Sequence, residues 1–292
     1  VAMSERISLE STHLKRQPSF GIAQKGQKSR VIFSGLPMGH EFTSFILALL
    51  QVSGRPPKVD EDTIERIKKI DKPINLETYV SLTCHNCPDV VQAFNIMAVL
   101  NPNITHTMIE GGMYQDEVKA KGIMSVPTVY KDQEEFTSGR ATIEQLVEKL
   151  DGPLDADAFA DKGVYDVLVI GGGPAGNSAA IYAARKGLKT GLLAETFGGQ
   201  VIETVGIENM IGTLYTEGPK LMAQVEEHTK SYDVDIIKSQ LATGIEKKEL
   251  IEVTLANGAV LKSKTAILAL GAKWRNINVP GEEEFRNKGV TY

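Results

Sequence analysis

A chain of 292 residues is long enough for about two domains at the usual ~100–200 residues each. With 42% hydrophobic and 24% charged residues it has the balance of a globular protein, which excludes a disordered or fibrous one. The net charge of −5 supplies no broad positive field for a nucleic acid, and the most apolar stretch, Phe42–Val52, falls well short of the roughly 20 residues a membrane-crossing helix needs.

In chain order, residues 1–69 open with polar, extended-looking sequence around Arg6–Glu10. Val31–Phe33 predicts a short strand and Glu41–Leu50 a helix with a long apolar face, broken by Gly54-Arg55-Pro56-Pro57. Ile64, Ile67 and Ile70 at helical spacing predict a helix over Asp60–Ile70. The next stretch alternates more clearly. Ile74–Leu82 predicts a strand, Val90–Leu100 a helix stopped by Asn101-Pro102, and Ile104–Ile109 a second strand. Glu117–Lys121 predicts a short helix, Val126–Tyr130 a third strand entered through Pro127, and Thr142–Leu150 a final helix after a turn at Gly139. The order βαβαββα is a thioredoxin-like one. Residues 151–162 read as a linker by composition. A βαβ unit follows, with strands at Val167–Ile170 and Thr190–Ala194 around a helix at Ala175–Lys186. Later strands are expected at Val234–Ile237, Leu250–Leu255, Ala259–Leu261 and Ala266–Ala269.

Both cysteines of the chain fall in one motif, Cys84-His85-Asn86-Cys87, at a predicted strand-to-helix junction. A thiol reacts as its thiolate, and helix-terminal N–H groups and the helix dipole favour that anion. Cys84 is therefore the expected attacking sulfur and Cys87 the resolving one, with His85 able to add positive charge beside them. Pro88 fits the first helical turn, where its missing N–H costs nothing. A zinc half-site and an inert structural disulfide are the alternatives. Zinc takes four ligands, and the sequence offers no second CxxC and no His-x₃₋₅-His, so no metal is expected. Pro127 at a strand entrance is either a cis-proline facing the dithiol or an ordinary strand-start residue. A lone dithiol suits a reducing compartment, so a cytoplasmic protein is expected. The opening residues do not read as a signal peptide. The chain starts Val1-Ala2-Met3 and stops in sequence entering a strand, so a piece of a longer protein is expected.

Gly171-Gly172-Gly173-Pro174-Ala175-Gly176 satisfies G-x-G-x-x-G between a predicted strand and a predicted helix. The glycines let a backbone approach a pyrophosphate at a helix N-terminus, and Glu195 ends the next strand about 20 residues on, where a carboxylate can accept from ribose hydroxyls. The motif does not separate FAD from NAD. Gly198-Gly199-Gln200 and Glu208-Asn209 offer flexible backbone and amide groups suited to a flavin ring, or are surface loops. Leu268-Ala269-Leu270-Gly271-Ala272 closes a strand with a glycine and could back the nucleotide.

Together, Ser81–Gln92 around the CxxC, Gly171–Gly176, Phe197-Gly198-Gly199-Gln200 and Gly271-Ala272-Lys273-Trp274-Arg275 resemble the flavoprotein family of alkyl hydroperoxide reductase, the disulfide reductases that serve a bacterial peroxiredoxin in peroxide detoxification. The likeness covers essentially the whole chain, whereas thioredoxin reductases share only its second half. The resemblance implies an α/β protein with a tandem thioredoxin-like N-terminal domain, then part of a Rossmann-like FAD-binding domain of the thioredoxin reductase type. It implies a first thioredoxin-like fold at 1–69 without CxxC, a second at 70–150 with it, a linker at 151–162 and an incomplete FAD-binding domain at 163–292. Pro18 would be the first fold's counterpart of Pro127, and Glu10, on the strand before it, would lie near the dithiol. FAD would be held by Gly171, Gly173, Pro174, Ala175, Gly176, Glu195, Gly199, Gln200, Asn209 and Gly271. Leu270 departs from the family's usual threonine and loses that hydroxyl. The resemblance further implies a homodimer in which electrons pass from NADH through FAD and a second CxxC, expected just beyond Tyr292, to Cys84–Cys87 and then to the peroxiredoxin. Without that second CxxC and a nicotinamide domain, the chain alone is expected not to oxidise NADH. The rival readings are a non-catalytic docking or thiol-carrier module on a flavin-binding domain, and a flavin oxidase that uses oxygen directly.

Overall fold

A computed structural model describes residues 5–272, 275–286 and 289–290. The chain separates into two compact units: one runs to Asp151 and includes the segment from Ile277, and the other is Gly152–Asn276.

The first unit contains, in order, β1 (Ser19–Ile22), β2 (Val31–Ser34), α1 (Phe42–Val52), α2 (Glu61–Lys69), β3 (Ile74–Val80), α3 (Cys87–Leu100), β4 (Ile104–Glu110), α4 (Gln115–Ala120), β5 (Thr128–Lys131), β6 (Glu134–Ser138) and α5 (Ile143–Asp151). The strands form one sheet in the order β1-β2-β4-β3-β5-β6. Its centre, β2-β4-β3, is parallel, and antiparallel strands flank it on both sides. Alternation along β3 sorts its side chains. Leu76 and Val80 join the main core with Phe33, Met108, Phe94 and Met97, while Tyr79 turns to a smaller cluster with Ile109 and Tyr130, against which Val118 of α4 packs. Asn101 ends α3 from a buried position, its Nδ2 donating to the carbonyls of Ile67 and Ile70 at 2.6 and 2.8 Å.

The hairpin β1–β2 is built like β5–β6. Each follows a cis proline, Pro18 and Pro127. Each ends on a glycine with positive φ that donates its N–H back to that proline's carbonyl: Gly35 to Pro18 at 2.9 Å and Gly139 to Pro127 at 2.8 Å. A helix follows each hairpin, α1 and α5 respectively. This repeated unit supports the tandem thioredoxin-like expectation. Among the described residues no strand precedes Pro18, contrary to expectation. Residues 7–14 are coil and Glu10 is exposed within it; the strand comes after the proline, as β1. Full burial there begins only at Arg16: Ile7 and Leu9 alternate with polar residues, but both are exposed, so no sheet face covers them.

The second unit contains β7 (Val164–Ile170), α6 (Pro174–Ala184), β8 (Thr190–Ala194), α7 (Gly218–Lys230), β9 (Val234–Lys238), β10 (Ala242–Lys247), β11 (Ile251–Leu255) and β12 (Val260–Leu268). The sheet order is β10-β11-β12-β7-β8-β9. β12, β7, β8 and β9 run parallel, as βα crossovers require, and β10–β11–β12 is an antiparallel meander. One cluster gathers Val167, Val169, Ala180, Leu192 and Met222; a second gathers Tyr165, Leu168, Leu193, Val253 and Leu261. The two expected strands at Ala259–Leu261 and Ala266–Ala269 are one continuous strand, β12. The polar run between them hid this: Ser263 is fully buried, while Lys264 reaches Asp166 at 2.7 Å. Part of the compositional linker is packed, since Phe159 is buried in this unit and Asn257 Nδ2 donates to the Leu154 carbonyl at 2.8 Å.

Candidate functional site

Cys84 and Cys87 form a disulfide at the N-terminus of α3, Cys84 in the connection that leaves β3 at Val80 and Cys87 as the first residue of the helix. Cys87 is fully buried and Cys84 half-buried, so an incoming group meets Cys84 first. The Cys87 N–H points at Cys84 Sγ from 3.1 Å, which is the arrangement that favours a thiolate on Cys84 after reduction. Cys84 Sγ also lies 3.7 Å from the Val126 carbonyl, directly before cis-Pro127. The structure thus brings Cys84, Cys87 and Pro127 together. His85 is exposed at the same place, and Glu10 stands in exposed coil.

One residue to which the sequence reading gave no role, His40, reaches this site from the turn before α1. The backbone there is held tightly: the His40 N–H donates to the Leu82 carbonyl at 3.1 Å, and a Cβ on Gly39 (φ +56°) would collide with that carbonyl. The His40 ring consequently sits 4.2 Å from the His85 ring, centroid to centroid. The next residue, Glu41, is fully buried, and neither carboxylate oxygen has a hydrogen-bond partner. Burial pushes its carboxyl up to about 7; the nearby Ser44 hydroxyl offsets part of this and the Asp89 charge adds to it. Among the described residues no group of three or more His, Cys, Asp or Glu is placed to hold a metal ion.

In the second unit the glycine loop joins β7 to α6, whose N-cap is Gly173 and whose first turn contains Pro174. Each glycine has its own reason. A Cβ on Gly171 (φ +120°) would collide with the Ala269 carbonyl, and one on Gly176 with the Gly171 carbonyl. A Cβ on Gly173 would meet no atom within 4 Å, so the loop leaves open space there. Gly198 donates its N–H to the Gly172 carbonyl at 2.9 Å, which draws Gly199 and Gln200 alongside the loop. Glu195 directly follows β8 and is exposed beside these turns. Pro174 and Asn209 line one cavity of about 540 Å³, together with Val201, Thr204, Ile207 and Met210. Gly271 (φ +66°) lies just past β12, two residues after Ala269, and Ala175 is exposed in the first turn of α6. Lys273 and Trp274, which follow it in the sequence motif, lie outside the described residues. The open backbone at Gly173 and the cavity beside it leave room for a dinucleotide, and among the described residues no atom fills the space that a Cβ on Gly173 would take. Asn177, which sequence reasoning missed, is fully buried behind the loop.

Comparison with known proteins gives a consistent answer. Residues 74–151 match the family model described as thioredoxin domain, and residues 165–292 the model described as pyridine nucleotide-disulphide oxidoreductase. A Bacillus subtilis (strain 168) protein named NADH dehydrogenase is 60% identical over 291 residues, covering 100% of this chain and 57% of that protein. The alkyl hydroperoxide reductase F protein of Xanthomonas campestris pv. phaseoli is 54% identical over 300 residues, covering 100% of this chain and 57% of its own length. The resemblance to the flavoprotein of alkyl hydroperoxide reductase is borne out. A solved N-terminal domain of that reductase, AhpF, from Enterococcus faecalis is 33% identical, with a TM-score of 0.45, over 47% of this chain and 66% of the other. The chain spans 57% of the length of the Bacillus and Xanthomonas relatives. Along its whole length it is similar to these relatives, and it has a thioredoxin-type domain with the Cys84–Cys87 disulfide followed by a segment that matches the pyridine nucleotide-disulphide oxidoreductase model. No helix among the described residues is long and apolar enough to cross a membrane.

Proposed function

We propose that this chain is the dithiol-bearing and first FAD-binding part of an NADH-dependent flavoprotein disulfide reductase whose protein substrate is the disulfide of a peroxiredoxin. The observation that carries the reading is the Cys84–Cys87 disulfide, with Cys84 reachable at a helix N-terminus, in one chain with an open glycine cradle. NADH as donor is supported by the name of the Bacillus relative, and the peroxiredoxin by the alkyl hydroperoxide reductase relatives. The same reading makes the whole protein a cytoplasmic homodimer. It keeps the division at residues 69 and 150, with the linker at 151–162 and the FAD-binding domain from 163.

The chemistry at the dithiol is two exchanges. The Cys84 thiolate attacks one sulfur of the partner disulfide, forming a mixed disulfide and releasing one partner thiolate. The Cys87 thiolate then attacks Cys84 Sγ, closing the intramolecular disulfide and releasing the second partner thiolate. Two electrons leave the CxxC and reduce the partner. The Cys87 N–H stabilises the Cys84 thiolate that opens the first step, and the Val126 carbonyl edge before Pro127 lies beside it. In the cradle, Gly171–Gly176 would hold the pyrophosphate of FAD, Glu195 would accept from a ribose, and Gly199, Gln200, Asn209 and Gly271 would border the ring. FAD, when bound, supplies the two-electron step between NADH and a dithiol.

The test uses the pre-reduced chain and an oxidised peroxiredoxin in a single turnover. Cys84→Ser should leave the peroxiredoxin oxidised, and Cys87→Ser should accumulate a covalent complex that dithiothreitol releases. Full reduction by Cys84→Ser protein would remove the assignment and favour a docking module.

A further inference from the structure

The glycine cradle is braced from behind by a buried polar pair that belongs to no nucleotide-binding motif. Asn177, in the first turns of α6, donates from Nδ2 to the carbonyls of Gly172 at 2.8 Å and Gly173 at 3.0 Å. Two carbonyl acceptors on that side leave only one workable orientation of the amide, since the flipped form would set oxygen against oxygen. Its Oδ1 therefore faces α7 and accepts from the Thr229 hydroxyl at 2.8 Å. The Val225 carbonyl is as close to that hydroxyl, but it already serves the helical ladder of α7. Both Asn177 and Thr229 are fully buried. A pair so placed satisfies itself completely on the loop carbonyls, which is what a buried polar pair must do to avoid a desolvation cost.

We infer that Asn177, oriented by Thr229, is a positioning residue that aims the Gly173 backbone N–H at the pyrophosphate of a bound dinucleotide. The inference rests on the reading that this cradle takes FAD. In a trans peptide the C=O and N–H point in opposite directions. The Gly172 carbonyl is held on one side by Asn177 and by the Gly198 N–H at 2.9 Å, so the N–H of the same peptide, that of Gly173, is turned away from the α6–α7 packing. Gly173 is the glycine whose Cβ would meet nothing, so its outward side is open to a ligand. A loop of glycines has no side chains to fix its peptide planes. Asn177 supplies that fixation from outside the loop, and Thr229 carries it to α7.

The whole chain would be titrated with FAD and, separately, with ADP, beside a thermal melt of each variant. Asn177→Ala should weaken both ligands by the same factor, about tenfold, because both present the pyrophosphate that the aimed N–H meets. Asn177→Asp keeps the shape and removes the donor, and should bind at least as weakly as Asn177→Ala. Thr229→Val should cost about threefold alone and nothing further on the Asn177→Ala background, since it acts only through Asn177. Parent-like affinity in folded Asn177→Asp would overturn the inference, as would additive losses in the double variant. A parent chain that takes up neither FAD nor ADP would overturn the cradle reading itself and the inference with it.

Discussion

The first unit contains the same backbone device twice, and only one copy faces redox chemistry. Pro18–β1–β2–Gly35–α1 and Pro127–β5–β6–Gly139–α5 share a cis proline, a hairpin, a glycine-to-proline hydrogen bond and a following helix. The second copy sets Val126 beside Cys84. The first has no cysteine, and its helix is turned differently: α1 buries Ser44 and Gln51 and exposes Phe42 and Ile46, whereas α5 buries Leu146 and Val147. The device is therefore a scaffold, and reactivity comes from what stands opposite its proline. The first copy contributes in another way, since the turn that opens α1 carries the His40 ring to His85 beside the dithiol.

The copies also differ in what holds the chain entering each proline, and the largest expected effect lies there. Arg16, two residues before Pro18, is buried and pairs with Glu77 at 2.9 Å and Glu117 at 2.7 Å. Removing it leaves the buried Glu77 carboxylate with only the longer contact from the exposed Lys15 ammonium at 3.4 Å, and its other oxygen already lacks a partner. Arg16→Ala should cost about 3–5 kcal/mol in urea unfolding, the range for breaking a buried pair. A cost below about 1 kcal/mol would place the trio among surface pairs and remove this contrast between the copies.

These residues show where sequence reading stops. The CxxC and the glycine motif are local: each needs only a strand end, a helix start and a few neighbours, so spacing alone displays them. Arg16, Glu77 and Glu117 are far apart in sequence, and nothing near Arg16 distinguishes it from Lys15, whose side chain is mostly exposed. Glu41 reads as an ordinary acidic residue at a helix start, and its burial follows from the distant contact between Gly39 and Leu82. Helix α7 and strand β10 escaped because Gly218 and Pro219 open the one and the other is a polar, mostly exposed edge. The register that puts Asn177 against Thr229 exists only after α6 and α7 pack.

Glu41 gives the next effect, with a defined sign. Its folded pKa, about 7, stands above its unfolded value, so the stability it contributes is present below about 4.5 and lost as pH rises through 7. Glu41→Gln should match the parent in acid and exceed it by about 3 kcal/mol at pH 8. Parallel stability curves of parent and variant across this range would show that Glu41 is solvated.

His106 tests the seam between the copies with the opposite sign. It lies on β4, which pairs with β2 on one side and β3 on the other. Asn95 Oδ1 accepts from its Nδ1–H at 2.8 Å, leaving Nε2 to accept from the Thr78 hydroxyl at 2.8 Å. Burial pushes its pKa down to about 3, so its contribution is present above about 6.5 and lost as pH falls from there toward 3. The parent should lose about 2 kcal/mol more than His106→Gln between about pH 7 and pH 5, read from urea midpoints. Equal losses would mean that the imidazole stays neutral without cost to the fold.

The smallest expected effect separates scaffold from chemistry most directly. Each cis proline is followed by a hydroxyl residue, Ser19 and Thr128. Ser19 Oγ is 2.9 Å from Ser34 Oγ, across the hairpin, whereas Thr128 Oγ1 donates to the Ser125 carbonyl at 2.7 Å and so ties down the segment that presents Val126 to Cys84. Ser19→Ala and Thr128→Val should each cost about 1 kcal/mol, the net value of one hydrogen bond. Only Thr128→Val should also slow single-turnover reduction of the partner disulfide, by about two- to fivefold on the same scale of energy. Equal rates in the two variants would mean that the Val126 edge needs no bracing and that the second copy differs from the first only in standing near two cysteines.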